Sequence, residues 1–168
     1  RRFYRFFQHV RLDGGVAARI VVGLLGIEGK PWVLAMDRTN WDFGRATINF
    51  LMISVEWNGI GIPLIWTLLP KTGNSSTPER VALFDRLAAI FPDMRIATLT
   101  GDREFIGDTW MRTLMERKIP FVLRLRENQY LQRPGYAEMT IAAIAAGLAT
   151  GQTLILKDPC ELGRAGNA

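Results

Sequence analysis

Apolar residues fall along this chain in short runs, broken by glycine, proline and polar clusters, and the runs differ in period. Between Val16 and Ile27 they form a helical patch. Gly14-Gly15 sets it off from the aromatic stretch before it, and Gly26, Gly29 and Pro31 close it. Trp32 to Asp37 (WVLAMD) is a short apolar run ending on a carboxylate, the pattern of a buried central strand. Ile48 to Trp57 (INFLMISVEW) is rich in β-branched and aromatic residues and reads as a second strand. Asn58-Gly59 follows, a pair suited to a type I′ hairpin turn because both central positions need positive φ. Ile60 to Leu69 then returns antiparallel. Pro63 within it has no N–H to donate, which predicts the edge of a sheet.

The polar loop Lys71 to Ser76 leads to Thr77, a good N-cap, and to Pro78, which suits the first helical position. Val81, Phe84, Leu87, Ala88 and Phe91 recur at helical spacing and stop before Pro92. Ile96 to Thr100 is a further buried strand, reaching Gly101-Asp102. A second helix carries Ile106, Trp110 and Leu114 on one face, with Arg117 and Lys118 near its negative end. Phe121 to Leu125 is a fifth strand. Beyond Arg126 the pattern weakens; Tyr136 to Ala149 reads as an alanine-rich helix and Thr153 to Lys157 as a strand. Right-handed crossovers place the fourth strand parallel to the first and the fifth beyond it. The expected fold is α/β, an RNase H-like mixed sheet of order 3-2-1-4-5 with helices packed on it. The expected division is a basic, helical lead-in over 1–30, a core over 31–130 lacking its C-terminal part, and the start of an insertion or a truncated tail over 131–168.

Composition narrows the chemistry. With 168 residues, 48% hydrophobic and 22% charged, the chain supports one domain with a real core. The net charge of +5 favours a polyanionic partner. A single cysteine, Cys160, excludes an internal disulfide and a cysteine-based zinc site, and His9 is the one histidine. Any metal is therefore expected on carboxylates, as a hard ion such as Mg²⁺. The Val16–Ile27 run contains Arg19 and is too short to span a bilayer, so no membrane partner is expected. No tripartite signal peptide is present, and a cytoplasmic location is the default. Arg1, Arg2, Arg5 and Arg11 are interleaved with Phe and Tyr; DNA contact and a helix packing its aromatics on the body both fit them. The chain opens like a segment whose upstream part is missing.

If the first and fourth strands are parallel neighbours, their carboxyl ends lie side by side, where open α/β sheets bind ligands. Asp37 ends one and Asp102 follows the other. Two like charges so close are unfavourable unless a cation lies between them. A divalent ion there is suited to in-line phosphoryl displacement, with water or a DNA 3′-hydroxyl as nucleophile. The plainer reading of each aspartate is a turn former or helix cap. Arg103 and Glu104 read as a solvated ion pair at a helix start, or Arg103 as a phosphate contact. Trp41 reads as packing or as a base-stacking platform. Lys71, Arg124 and Arg126 are candidate contacts to a nucleic-acid backbone, or ordinary solubilising charges.

Longer stretches carry a family resemblance: MDRTNWDFG (Met36 to Gly44), GIPLIWTLLPKTGNSST (Gly61 to Thr77), Glu79-Arg80, TGDREFIGDTW (Thr100 to Trp110) and IPFVLRLREN (Ile119 to Asn128). In these residues the chain resembles the IS4-type family of bacterial DDE transposases, over roughly the first three quarters of its length. The resemblance implies that Asp37 and Asp102 are the first two acids of a DDE triad that binds Mg²⁺ or Mn²⁺. It implies double-stranded DNA, as element ends and target, for substrate, and cleavage and strand transfer at insertion-sequence ends. It also implies action as a homodimer in the bacterial cytoplasm, at the nucleoid. The family's third acid is a glutamate in a Y-x2-R-x3-E-x6-K pattern, which these residues do not contain. Glu127, Glu138 and Glu161 lack its flanking residues. The expectation is a core truncated before its third acid; the alternatives are an inactive DNA-binding remnant or a related RNase H-like nuclease.

Overall fold

Two sheets and the helices packed against them account for residues 13–44 and 46–163, which the computed structural model describes. The basic cluster Arg1 to Arg11 and His9 lie outside the described residues. Helix α1 (Gly14–Leu25) begins at Asp13, whose side chain accepts from the Gly15 amide at 2.8 Å. Gly14 and Gly15 thus open the helix instead of separating it from what precedes. The Asp13 carboxylate satisfies a first-turn N–H that has no partner within the helix, which offsets the glycines' poor propensity.

Strands β1 (Pro31–Phe43), β2 (Ala46–Trp57) and β3 (Ile60–Leu69) form an antiparallel meander. The β2–β3 turn has φ 52° at Asn58 and 82° at Gly59, the pair of positive angles that a type I′ turn requires. At the sheet edge, Ile53 pairs with Ile65 and Ser54 with Pro63, leaving Leu64 as the extra residue of a bulge. Strand β1 does not end at Asp37. It runs on to Phe43, because β2 keeps pairing with it from Arg38↔Leu51 to Phe43↔Ala46. The polar residues Arg38, Thr39 and Asn40 disguised this continuation as a loop.

Helix α2 (Thr77–Ile90) is capped by Ser76, one residue before the expected Thr77. Ser76 and Glu79 form a capping box, in which the Ser76 amide donates to Glu79 Oε2 at 2.6 Å. Strand β4 (Arg95–Gly101) follows, then a 3₁₀ turn over Arg103–Phe105, helix α3 (Asp108–Glu116) and strand β5 (Phe121–Leu123). Ile106 precedes α3, whose buried face is Trp110 and Leu114. β4 lies parallel to β1, and β5 parallel to β4. The sheet order is β3-β2-β1-β4-β5, the RNase H-like arrangement.

The core lies on one face of this sheet. Leu34, Met36, Leu51, Ile53, Val55 and Leu99 meet Leu83, Phe84, Leu87, Phe105, Trp110 and Leu114. On β1 the alternate positions, Asp37, Thr39 and Trp41, are exposed, as are Trp66 and Leu68 on β3. The pleat sends successive side chains to opposite faces, so Asp37 stands on the face away from the helical layer.

The C-terminal part departs further from the sequence reading. Strands β6 (Tyr130–Gln132), β7 (Met139–Thr140) and β8 (Glu161–Leu162) form a small sheet of order β7-β6-β8. The expected alanine-rich helix shrinks to α4 (Ile141–Ala145), capped by Thr140, whose hydroxyl accepts from the Ala143 amide at 3.2 Å. Pro134-Gly135 and Gly147 bracket it and oppose a longer helix. Thr153 to Lys157 is not a strand; no strand pairs with it among the described residues, and Ile155 is exposed. No helix of the described residues is long and apolar enough to cross a membrane.

Burial, the largest influence, raises the Glu79 pKa. The hydrogen bond from Lys71, those from the Ser76 amide and hydroxyl, and the Lys71 charge together outweigh it, and the net shift is downward. A depressed carboxylate stabilises the fold above its unfolded value and loses that contribution as pH falls through the folded one. Glu79→Gln is therefore expected to cost about 0.5–1 kcal/mol at pH 7. In urea titrations the difference from the native chain should shrink below about pH 4.3, the ordinary glutamate value; a difference that widens on acidification contradicts this.

Candidate active site at the ends of two parallel strands

The cross-strand pairing of β1 with β4 stops at Met36↔Gly101. Asp37, still within β1, and Asp102, just past the end of β4, are the next residues. Neighbouring strands lie about 4.8 Å apart, so the two aspartates occupy matching positions on adjacent strands. Both are exposed. Asp37 Oδ1 accepts from the Arg38 amide at 2.8 Å, and Asp102 Oδ1 accepts from the Glu104 amide at 2.9 Å. Asp102 is thereby the N-cap of the 3₁₀ turn, with extended backbone (φ −83°, ψ −170°). The plain reading of Asp102 as a cap and its reading as a ligand coexist: one oxygen caps, and the other accepts nothing from the described residues.

Arg124 completes the row. Leu123 is the β5 partner of Gly101, and the Arg124 amide donates to the Gly101 carbonyl at 3.1 Å. Asp37, Asp102 and Arg124 thus each follow the point where the parallel ladder of β1, β4 and β5 ends. Arg103, next to Asp102, is exposed, and so is Arg126. Lys71 lies elsewhere, 2.8 Å from Glu79 in an ion pair. Trp41 is exposed, so the packing reading does not hold for it.

Glu104 pairs with Arg38, not with Arg103 as a solvated pair. Arg38 Nε donates to Glu104 Oε2 at 2.7 Å, and each side chain is only 14% exposed. Arg38 takes this position because it shares the pleat of Leu34 and Met36, under the sheet, where the 3₁₀ turn passes. Its Nη1 also donates to Asn40 Oδ1 at 2.7 Å and to Asn49 Oδ1 at 3.3 Å. Asn49, buried, donates to the carbonyls of Lys71 and Gly73, both at 3.0 Å, which ties down the loop after β3. Buried Arg80 closes the network. It donates to Ser75 Oγ at 2.9 Å, to the Ser75 carbonyl at 2.6 Å and to the Glu104 carbonyl at 3.0 Å, and its guanidinium lies 4.9 Å from the centre of the Phe105 ring. Burial lowers the Arg80 pKa, while the charges of Glu104 and Glu79 oppose the shift.

In the sequence, Arg38, Ser75 and Arg80 stand in the family-like stretches and Asn49 in a strand, none with a role of its own. The available signal was their place in apolar periodicity: Arg38 and Asn49 extend the inward faces of two strands, and Arg80 falls on the inward face of α2. Among the described residues no group of three or more His, Cys, Asp or Glu side chains is arranged to hold a metal.

A mixed α/β sheet of order β3-β2-β1-β4-β5 with helices packed on it defines the RNase H-like class of fold. Residues 28–158 match the family model described as Transposase DDE domain, and the chain belongs to that family. No curated protein matches the sequence. Among solved structures, the chain is similar to the dimeric form of the HTLV-2 integrase catalytic core domain in complex with magnesium. The TM-score is 0.42 and the identity 10%, over 54% of this chain and 59% of that one. It is also similar to a chain of a simian T-cell lymphotropic virus intasome in complex with PP2A regulatory subunit B56 gamma. There the TM-score is 0.44 and the identity 10%, over 55% of this chain and 31% of that one. The chain therefore spans less than two thirds of the length of these structures.

Two substitutions test the architecture. A Cβ on Gly101 would stand 3.1 Å from both Leu123 Cδ2 and Phe105 Cδ2, with Phe105 Cβ at 3.3 Å. Gly101→Val is therefore expected to destabilise by about 1–3 kcal/mol through overpacking beside Asp102; an unchanged urea midpoint contradicts the packing described. Arg38→Met leaves the half-buried Glu104 charge without its guanidinium, and Glu104 Oε1 already lacks a donor among the described residues. The expected cost is about 1–3 kcal/mol. Arg38→Met/Glu104→Gln should recover most of it, measured by chemical unfolding; a double variant weaker than the single one contradicts the pairing.

Proposed function

We propose that this chain carries the first two acids, Asp37 and Asp102, of a DDE transposase active site. The site would perform metal-dependent phosphodiester cleavage and strand transfer at insertion-sequence ends. The observation that carries the reading is the matched register of Asp37 and Asp102 on adjacent parallel strands, in a chain of the transposase DDE family. The donor set fits a hard divalent cation, Mg²⁺ or Mn²⁺. It offers carboxylates only, both exposed, each with one oxygen that accepts nothing from the described residues.

When bound, such a cation supplies activation of the nucleophile and neutralisation of charge on the phosphodiester. The chain's own residues do the rest. The amides of Arg38 and Glu104 hold one oxygen of each aspartate, which leaves the other to face outward. Arg124, in the same row, and Arg103, beside Asp102, are suited to a phosphate of double-stranded DNA, at the element ends and in the target. Arg126 extends that basic strip. Lys71, engaged by Glu79, serves as a phosphate contact only if it leaves that pair. The remaining assignments are the IS4-type branch, a bacterial host, action as a homodimer at the nucleoid, and a third acid supplied from beyond the residues described.

The absence of a three-carboxylate group among the described residues favours one second reading, a DNA-binding remnant without catalysis. The test is nicking of supercoiled and end-containing DNA with Mg²⁺ or Mn²⁺. The proposal expects nicking that chelation by EDTA abolishes and that Asp37→Asn and Asp102→Asn each reduce at least 100-fold, about 2.7 kcal/mol of barrier. Nicking indifferent to both substitutions removes the site. DNA retention in a gel shift with no nicking leaves the remnant.

A further inference from the structure

We infer that the Arg38–Glu104 pair is a positioning device that fixes the spacing of Asp37 and Asp102 from the opposite face of the sheet. The inference rests on the metal-binding reading of those two aspartates and adds how their separation is held. Each aspartate has the same attachment. The amide of Arg38 donates to Asp37 Oδ1, and the amide of Glu104 donates to Asp102 Oδ1. The two residues providing those amides are the two that join through their side chains at 2.7 Å. A closed circuit results, running from one carboxylate through an amide, an ion pair and a second amide to the other carboxylate.

The ladder brings the two aspartates side by side, and past its end no other hydrogen bond or ion pair among the described residues joins Arg38 or Asp37 to the segment after β4. The β1–β4 ladder ends at Met36↔Gly101, one residue short of both aspartates. Past that point β1 stays paired only with β2, on the side away from Asp102. The 3₁₀ turn leads the other chain away. The ion pair is the first link across the gap, and further contacts hold both its ends. Asn40 and Asn49 accept from Arg38, and Arg80 grips the Glu104 carbonyl and covers the Phe105 ring. The pair lies under the sheet, with the helical layer, whereas Asp37 stands on the uncovered face. It therefore acts through the aspartates and not on a substrate. Groups behind metal ligands that orient them commonly change metal affinity 10–100-fold when removed.

The experiment separates positioning from folding. Mn²⁺ affinity is read from the loss of the free-ion EPR signal, and stability from thermal unfolding followed by circular dichroism, on the whole chain. Native protein should bind Mn²⁺, and Asp37→Asn and Asp102→Asn should abolish binding. In Arg38→Met/Glu104→Gln, stability should return close to native while Mn²⁺ binds at least 10-fold more weakly. A double variant with native stability and native affinity overturns the inference and leaves the two-aspartate reading standing. Should the double variant not fold, Glu104→Gln alone is measured at a temperature where it is fully folded. Binding at least 10-fold weaker there supports the positioning role, and native affinity overturns it. Native chain that leaves Mn²⁺ free, or Asp37→Asn and Asp102→Asn variants that bind it normally, overturns the metal reading itself, and this inference with it.

Discussion

Parallel pairing of β1 with β4 determines nearly everything else about the site, because two segments far apart in sequence share one ladder. A parallel pair needs a crossover, which here consists of the meander's remaining strands and helix α2. The hydrophobic layer beneath the sheet sets the register. Leu34 and Met36 on β1 and Leu99 on β4 are all buried against the helices, and a slip of one residue would turn that set toward solvent. With the register fixed, Asp37 and Asp102 must arrive together.

Beneath them the chain buries Arg80 against Phe105 and holds Arg38 and Glu104 largely out of solvent. Desolvating such groups is costly, and a buried pair is weak support for stability compared with apolar packing of the same shape. The geometry offsets that cost with hydrogen bonds: Arg80 reaches Ser75 and the Glu104 carbonyl, and Arg38 reaches Asn40 and Asn49. The loop after β3, the end of β4 and the middle of β1 are thus joined through polar groups where no ladder connects them. Directional bonds of this kind specify one arrangement of three segments, which nonpolar contacts would hold less uniquely.

The elements legible in the sequence were those whose periodicity and turn chemistry agree. The Asn58-Gly59 hairpin, the Pro63 edge strand, the α2 helix and the β3-β2-β1-β4-β5 order all followed from local rules. The extension of β1 past Asp37 was hidden because its residues are polar, and their pairing with β2 is a property of two strands at once. The Arg38–Glu104 pair was invisible for a similar reason. Glu104 has a nearer sequence neighbour of opposite charge, Arg103, and only the fold shows that the 3₁₀ turn sends one outward and the other under the sheet. The second sheet was missed because two of its strands are only two residues long, too short for an alternation to register.

The separation of roles between the two faces of the sheet has a physical rationale. Two carboxylates held side by side repel, and the repulsion is weakest where water screens it, as on the exposed face where Asp37 stands. The groups that fix their spacing gain from the opposite environment, since a hydrogen-bonded ion pair is most rigid where solvent cannot compete for its partners. A strand pleat provides both environments one residue apart, so Asp37 can face water while Arg38 faces the core. The adjacency of Asp37 and Arg38 is then a consequence of the alternation, whereas Asp102 and Glu104, two residues apart, are separated by the 3₁₀ turn that redirects the chain after β4. A site built on helices or on a free loop would need separate segments to do the same.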